Sequence, residues 1–361
     1  MDNRLKEARE VIDRVDREMA KLFVERMGAA KLVAEYKMDH GVEILDHVRE
    51  AQVIERGSAR VADPAIREYY VNFLKDVMAT SRSYQSRLVE GMRVAYCGTE
   101  GAFAHIATTK LFPTARKVAF STFDEAYASV EDGRCEVAVL PVENSYNGEV
   151  GQVTDLMFQG SLYLVGMTEL AVTQDLLAPK GARLSEIKEV ISHTQALGQC
   201  AEYIKEHGFI ASEYSNTALA AKYVAERGDP TVAAIASAEA AEIFGLEVIE
   251  KNINSARNNT TRFAVFARAP RDGLPKHGVH SVILFTVRNE AGALAKAIDV
   301  IGKHGFNMQS LRSRPMKELL FEYYFYVEAE GDVEGEEGRK MMEELSEYCD
   351  RLRAVGSFVK K

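Results

Sequence analysis

Apolar residues near the start of the chain step by three and four, through Leu5, Ala8, Ile12, Val15, Met19 and Leu22. This is the period of a helix that buries one face. It predicts a single helix from Asn3 to Asp39, about 36 residues and roughly 54 Å long. The next positions in phase are Arg26, Ala29, Val33 and Lys37. Arg26 and Lys37 are about three turns apart, so they share a face. A guanidinium and an ammonium turned into a helix bundle cost several kcal/mol each unless an anion meets them. That anion is either a protein carboxylate or a ligand that brings its own.

A second helix carries Asp46, Arg49 and Glu50 at i, i+3 and i+4. Asp63-Pro64 is a start signal for a third. Its stripe of Ile66, Tyr70, Phe73, Val77, Tyr84 and Leu88 holds Ser81 in phase, with Gln85 beside it. Three helices that each turn polar groups inward make a site for a small, multiply charged, hydroxylated molecule. A segment of some 90 residues folded alone is far more compact than the first helix is long, so a monomer leaves much of the seam bare. The expectation is an intertwined dimer, with Arg9 entering the partner's pocket.

After Gly91 the pattern changes to short strands alternating with helices. Strands are predicted at 93–96, 136–142, 162–166, 189–192, 209–213, 232–236 and 262–267, and helices at 123–132, 195–207, 217–227 and 237–244. This is an α/β region, expected to form two lobes with a cleft between them. The loop Cys97-Gly98-Thr99-Glu100-Gly101-Ala102-Phe103 lacks the third glycine of a dinucleotide fingerprint and the Gly-Lys-Ser/Thr of a P-loop. It is either a turn presenting backbone N–H groups to a carboxylate or a tight turn without a ligand. Three further segments put polar residues after strands: Pro141-Val142-Glu143-Asn144-Ser145 with Gly148, Ser192-His193-Thr194-Gln195-Ala196-Leu197 with Gln199, and Asn258-Asn259-Thr260-Thr261-Arg262-Phe263. Each singly reads as a helix cap, a solvated loop or a piece of a site.

Pro270 to Gly278 reads as a linker. Beyond it the order is strand 279–288, helix 291–304, strand 306–313, strand 319–329, helix 335–349 and strand 352–359, a βαββαβ succession of ferredoxin-like type. Edge pairing between two copies would bury apolar surface, a second reason to expect oligomers.

At 361 residues the chain is long for one domain. The net charge of −9 and the lack of Lys and Arg clusters interleaved with aromatics argue against nucleic acid as a partner. Anionic substrates then need local cations, which the first helix supplies. Cys97, Cys135, Cys200 and Cys349 are scattered, with no CxxC and no His at ligand spacing, so neither disulfides nor a metal is expected and a reducing cytoplasm fits. No apolar run follows Met1 and no stretch approaches the length of a membrane span, so no secretory signal and no membrane partner are expected.

In order and spacing, Arg9, Arg26, Lys37, Asp46, Arg49, Glu50, Ser81 and Gln85 closely resemble the site of the all-helical chorismate mutases. The resemblance implies that Arg9 of the other protomer and Arg26 hold the two carboxylates of chorismate, that Lys37 and Gln85 donate to its ether oxygen, and that Glu50 takes the ring hydroxyl. Asp46, Arg49 and Ser81 would complete the wall. Rearrangement of chorismate to prephenate needs neither nucleophile nor proton transfer, so positioning and positive charge at the breaking C–O bond suffice.

The three polar segments, taken together from about Met92 to Ala267, resemble the signature set of prephenate dehydratases. Resemblance implies that Thr261 polarises the departing hydroxyl, that Asn144, Ser145, Ser192 and Gln199 position ring and carboxylates, that Glu143 shapes its loop, and that Arg262 acts structurally or on a carboxylate. Loss of water and CO2 is driven by aromatisation, and no cofactor is required. Family members usually carry Ser where Ala104 stands and Pro where Thr194 stands; a hydrogen bond lost at Ala104 would shift affinity without abolishing chemistry. His105 and His193 stand nearby as general acids or as structural residues.

Gly292-Ala293-Leu294-Ala295 and Ser313-Arg314-Pro315 resemble the phenylalanine-binding motifs of ACT regulatory domains, with Arg312 in place of the usual Glu. Three domains are expected: 1–90, all-α and an intertwined dimer with mutase activity; 92–269, two-lobed α/β with dehydratase activity; and 279–361, an α+β ACT domain that responds to phenylalanine. Substrates would be chorismate and prephenate, and the effector phenylalanine. Two competing readings keep the mutase but have a weakened dehydratase, or make the middle region an amino-acid sensor. A dehydrogenase is disfavoured because the dinucleotide fingerprint is missing.

Overall fold

A computed structural model describes residues 3–255, 258–275, 277–316 and 322–360. The chain divides into two compact units, Met1–Arg93 and Val94–Lys361. The first is three helices: α1 (Asn3–His40), α2 (His47–Ser58) and α3 (Pro64–Glu90). Asp63 caps α3 by accepting from Ala65 N at 2.9 Å with Pro64 at the first turn, as its sequence predicts. At α2, Gly57 has no side chain where a Cβ would strike Leu74 of α3. The α1 seam is largely uncovered within one chain: Ile12 is 56%, Met19 42% and Leu22 63% exposed. So much apolar surface on one 38-residue helix is what the periodicity led us to expect of a single copy.

The second unit opens with a lobe of β1 (Arg93–Cys97), α4 (Phe103–Leu111), β2 (Arg116–Phe120), α5 (Phe123–Glu131), β3 (Val137–Asn144), β4 (Gly148–Glu149), α6 (Gly151–Gln159) and β5 (Tyr163–Ala171). A second lobe follows with β6 (Asp175–Ala178), β7 (Glu189–Ser192), α7 (Thr194–Gln199), α8 (Ala201–His207), β8 (Ile210–Glu213), α9 (Thr217–Arg227), β9 (Val232–Ala236), α10 (Ala238–Phe244) and β10 (Glu247–Glu250). The chain then returns as β11 (Thr260–Ala267) to the first lobe, where the order is β2-β1-β3-β11-β5 with β4 on β3. β11 is antiparallel to both neighbours. The second lobe is the separate sheet β10-β6-β9-β7-β8, so two chain segments join the lobes. They are tied to each other by Val172 N to Asn259 O and Ile253 N to Gln174 O, both 2.8 Å. There Asn252 adopts a φ of 55°, its N–H donating to Asp175 at 2.7 Å.

The remainder is β12 (Val279–Val287), α11 (Ala293–Lys303), β13 (Asn307–Pro315), β14 (Tyr323–Glu330), α12 (Glu336–Leu345) and β15 (Cys349–Val359), with strand order β13-β14-β12-β15. Alternate residues serve two cores. Ile283, Phe285, Val327 and Ala329 pack with Ala297, Ile301, Met341 and Leu345 of the helices. Val282, Leu284, Tyr324, Tyr326 and Phe358 join Tyr127, Met157, Leu164 and Phe266 of the first lobe. Its central strands β12 and β14 are therefore buried on both faces, while the edge strand β13 exposes alternate residues.

The sequence pattern missed α4, α6, β2, β4, β6 and β10. α4 starts at Ala102, which offers no side-chain cap, so nothing marks its beginning. β4, β6 and β10 are four residues or shorter and take their conformation from sheet partners. The helix expected over 195–207 is two, broken at Cys200. Of the strand expected over 319–329, residues 319–321 lie outside the described residues.

Close docking of β15 on β5 depends on Gly356. Its φ is 144°, and a Cβ there would stand 2.4 Å from Leu164 O. Gly356→Ala is expected to destabilise the second unit by on the order of 3 kcal/mol, read as an earlier thermal unfolding transition of the full chain. An unchanged transition would mean that β15 does not rest on β5.

Candidate functional site

In the first unit, the inward cations meet no anion. Arg26 donates to Ser81 Oγ on α3 and, at 3.4 Å, to Val77 O. Lys37 donates to the carbonyl of Ile44, in the turn before α2. Among the described residues neither has a carboxylate within ion-pair distance. Ser81 and Gln85, one turn apart on α3, are both buried, and Gln85 Oε1 has no hydrogen-bond partner.

Glu50 of α2 pairs with Arg82 of α3, a partner the sequence reading missed because Arg82 sits off the apolar stripe. Asp46 is exposed and caps α2, accepting from Arg49 N at 2.9 Å, and the Arg49 side chain is exposed. Arg9 is exposed on α1, about 25 Å along the axis from Arg26. Arg26 and Ser81 thus meet at the α1–α3 contact with Gln85 one turn on, Glu50 sits at the α2–α3 contact, Lys37 reaches the turn before α2, and Arg9 lies well along α1 from Arg26.

In the second unit, a cleft of about 440 Å³ lies between the lobes. The first lobe lines it with Phe103, Asn144, Asn147, Gly148, Glu149, Asn259 and Thr261, and the second with Gln174, His193, Gln195, Gln199, Asn216 and Thr217. Pairing of β11 with β3 sets Thr261 opposite Asn144. Asn144 Nδ2 donates to Thr261 Oγ1 at 2.9 Å and to Asn259 Oδ1 at 2.7 Å. Asn144 Oδ1 takes the N–H groups of Tyr146 and Asn147 at 3.0 and 2.9 Å, which fixes which way the amide faces. Thr261 thus accepts from Asn144, and among the described residues its own O–H has no acceptor. Asn259 Nδ2 and Gln174 Oε1 are likewise buried without partners. Such orphaned groups around a cavity invite a polar ligand.

Other expected residues are placed differently. Ser145 knits the loops, donating to Asn258 O at 3.0 Å and accepting from Thr260 N at 2.9 Å. Ser192 is fully buried, its hydroxyl on Ile235 O at 2.6 Å. Gln199 reaches the cleft and accepts from Gln174 Nε2 at 3.4 Å. Glu143 and Arg262 lie on the face of their strands opposite Asn144 and Thr261. Arg262 donates to both Glu328 oxygens at 2.8 Å and to Glu143 at 3.3 Å. Arg312 of β13 donates to Glu143 at 2.5 Å. Burial alone would raise the Glu143 carboxyl, but the Arg312 and Arg262 guanidiniums hold it below the usual carboxylate range.

In the glycine loop before α4 both glycine N–H groups have partners within the fold. Gly98 N donates to Phe120 O at 2.9 Å and Gly101 N to His105 Nδ1 at 3.2 Å. Gly101 has a φ of 82°, and a Cβ there would press on Phe244 at 3.1 Å. The turn is tight, and Ala102 and Phe103 at its end line the cleft. Burial pushes the His105 imidazole down, against Glu100, so it serves the turn as a neutral acceptor. His193 lines the cleft and caps α7, accepting from Gln195 N at 3.3 Å. Neither Ala104 nor Thr194 lines the cleft. Gln174 had no sequence signal because it precedes an unrecognised strand, whereas Asn216 is an N-cap three residues before Leu219 N and could have been found.

In the C-terminal domain, Gly292 caps α11 with a φ of 83°, ahead of Ala293 and Ala295. Leu294 lines a separate cleft of about 480 Å³ with Met316, Tyr323, Phe325 and Arg351. Ser313, Arg314 and Pro315 end β13. Arg314 there turns to Asp155 at 3.2 Å and Glu149 at 3.6 Å of the first lobe. Among the described residues no group of His, Cys, Asp and Glu is placed to hold a metal ion, and no helix is long and apolar enough to cross a membrane.

The family model for chorismate mutase type II matches residues 8–86, and that for prephenate dehydratase matches 94–271. A bifunctional chorismate mutase/prephenate dehydratase of Aquifex aeolicus is 32% identical over 99% of this chain and 98% of its own. Among solved structures, prephenate dehydratase from Arthrobacter aurescens in complex with L-Phe is 25% identical with a TM-score of 0.68, over 74% of this chain and 90% of that one. A protein described as a novel type of quorum-quenching acylase is 32% identical with the same TM-score of 0.68, over 74% of this chain and 98% of that one. With both models matched in sequence order and a relative alike from end to end, the chain belongs to the family of bifunctional chorismate mutase/prephenate dehydratases.

Proposed function

We propose that the first unit rearranges chorismate to prephenate on Arg26, Lys37, Glu50, Ser81 and Gln85, and that the cleft of the second converts prephenate to phenylpyruvate with Thr261 as the group that meets the departing hydroxyl. The observation that carries the first part is the pair of inward cations, Arg26 and Lys37, with no carboxylate partner among the described residues. A dianionic substrate supplies the missing charge. Arg suits a carboxylate bidentately, and Lys suits the negative charge that grows on the ether oxygen as the C–O bond breaks. Gln85 would present its amide N–H to the same oxygen. Asp46 and Arg49 would form the outer wall.

Arg9 is too far along α1 to serve its own chain's pocket. With the bare seam, this supports an intertwined dimer in which Arg9 enters the partner's site. Four free cysteines suit a reducing cytoplasm.

In the cleft, Asn144 donates to Thr261 Oγ1 and so turns the hydroxyl proton outward. A hydrogen bond from that proton to the leaving oxygen stabilises the charge of the departing hydroxide, which becomes water with a proton from solvent, while the C–CO2 bonding electrons pass into the forming ring as CO2 leaves. Gln174, Gln199 and Asn259 would hold carboxylate and ring. Ser145, Ser192, Glu143 and Arg262 would shape the walls from behind. An acyl-transfer reading, raised by the acylase relative, needs a base on the nucleophile. Thr261 instead faces an amide donor, and burial with Asp175 nearby pushes the Cys200 thiol up to about 12.

The C-terminal strand order with both helices on one face suits a ferredoxin-like ACT domain. Phenylalanine is proposed to bind where two such domains meet, through Gly292, Ala293, Leu294 and Ala295 with Ser313, Arg314 and Pro315, and to close the cleft. A relative solved with L-Phe supports this reading.

Assays from chorismate and from supplied prephenate separate the two activities. Lys37→Ala is expected to slow chorismate consumption at least a hundredfold while phenylpyruvate still forms from prephenate, and Thr261→Ala to do the reverse. An unchanged rate in either variant removes that residue from its mechanism. Calorimetry with phenylalanine is expected to show binding, and heat of dilution alone would refute the effector role. Sedimentation of the full chain should give a dimer or larger species, against which a monomer would count decisively.

A further inference from the structure

The two strand ends that build the cleft also carry a chain of charges on their other face. Glu143 and Asn144 are consecutive on β3, as Thr261 and Arg262 are on β11, and the register sets Asn144 opposite Thr261 and Glu143 opposite Arg262. Successive strand residues point to opposite faces, so each strand gives one side chain to the cleft and the next to the C-terminal sheet. There Arg262 is taken bidentately by Glu328, whose side chain is only 2% exposed. That leaves Glu143 one longer contact to Arg262, at 3.3 Å. Its close partner is Arg312, at 2.5 Å.

Arg312 is itself held from three sides. Its Nε donates to Ser310 Oγ at 3.0 Å, and its guanidinium lies 5.6 Å from the centre of the Tyr326 ring. Arg312, Glu143, Arg262 and Glu328 therefore form one chain of alternating charge that starts on β13 and ends on β14, with Glu169 a further 3.9 Å neighbour of Arg262. Glu143 stands directly across the ladder from Glu149. Arg314 meets Glu149 at 3.6 Å and Arg262 meets Glu143 at 3.3 Å, so losing Arg312 removes the closest cation from this like-charged pair and weakens the hairpin that carries Asn144. A carboxylate at position 312 would add a third.

We propose that Arg312 is a positioning residue for the dehydration step: reaching from the C-terminal sheet, it clamps Glu143 and so holds Asn144 and Thr261 in hydrogen-bonded register. The inference rests on the reading of Thr261 and Asn144 given above. It assigns position 312 to the cleft of the preceding domain.

The test measures kcat and KM for supplied prephenate in the full chain, with the chorismate rearrangement rate of the same preparation as an internal reference. Arg312→Gln is expected to lower kcat about tenfold with KM changed less than about twofold, because a group acting through Thr261 is felt in the transition state. Arg312→Glu should lose more. Arg312→Lys should recover kcat to within about threefold of the parent, since it restores the charge but not the fork. Adding Glu143→Gln to Arg312→Gln should cost little more than either alone, the mark of one shared interaction.

Chorismate rearrangement should be unchanged in the Arg312 variants. Parental kcat in both Arg312→Gln and Arg312→Glu, while Thr261→Ala still abolishes phenylpyruvate formation, overturns the inference and leaves the assignment of Thr261 standing. So does a kcat loss that Arg312→Lys fails to recover. If Thr261→Ala itself keeps activity, the reading beneath the inference is what has failed.

Discussion

The pairing of β11 with β3 is the constraint on which the second unit depends. Between those strands the chain leaves the first lobe, builds a complete second sheet and returns. The returning strand lies between β3 and β5 with antiparallel ladders on both sides, so its register is set twice. A slip of one residue would exchange the faces of Thr261 and Arg262. The hydroxyl would then face the C-terminal sheet, and a guanidinium would fill a cleft built of amides. The cleft and the domain contact are two readings of one strand alignment.

A second consequence is that the C-terminal domain is no appendage. Its sheet buries alternate residues in two cores, one shared with its own helices and one with the first lobe. Polar links run along the same face: Arg353 to the carbonyl of Leu162 at 2.6 Å, Tyr324 to Asp155 at 2.6 Å, and the Glu328–Arg262 pair. Buried charges of this kind are costly to strand singly, and here each has a bidentate or multiple partner. Arg314, which the family resemblance assigns to effector binding, is in one copy committed to the Asp155 side of this contact.

Much of the fold was legible because long amphipathic helices and β-rich runs announce themselves by period. The three N-terminal helices, their seam and the Asp63-Pro64 start fell where the pattern put them. α4 was illegible because Ala102 gives no capping signal, and β6 and β10 because four-residue strands are defined by partners distant in sequence. Of the residues singled out for the sites, Asn144, Gln199 and Thr261 share a cleft, Arg26 meets Ser81, and Lys37 meets the turn before α2. What identity does not carry is orientation. Ser192 and Arg262 stand one position from cleft-facing residues and turn away from it, a distinction that strand alternation decides only once the register is known. Arg312, read only as a departure from a motif, gains its meaning from a carboxylate 169 positions earlier.

The interrupted first lobe also bears on how the polypeptide is made. Residues 175–250 form a sheet from one unbroken stretch, able to collapse as soon as it is synthesised. The lobe that precedes it in the chain lacks its inner strand until residue 267 has been translated, and one face of that lobe's core waits for the last strand of all. From residue 171 to residue 267 the nascent chain therefore carries an open gap between β3 and β5, a template for strand addition by other chains. Within the second unit the order of completion is inner sheet first and flanking sheets last.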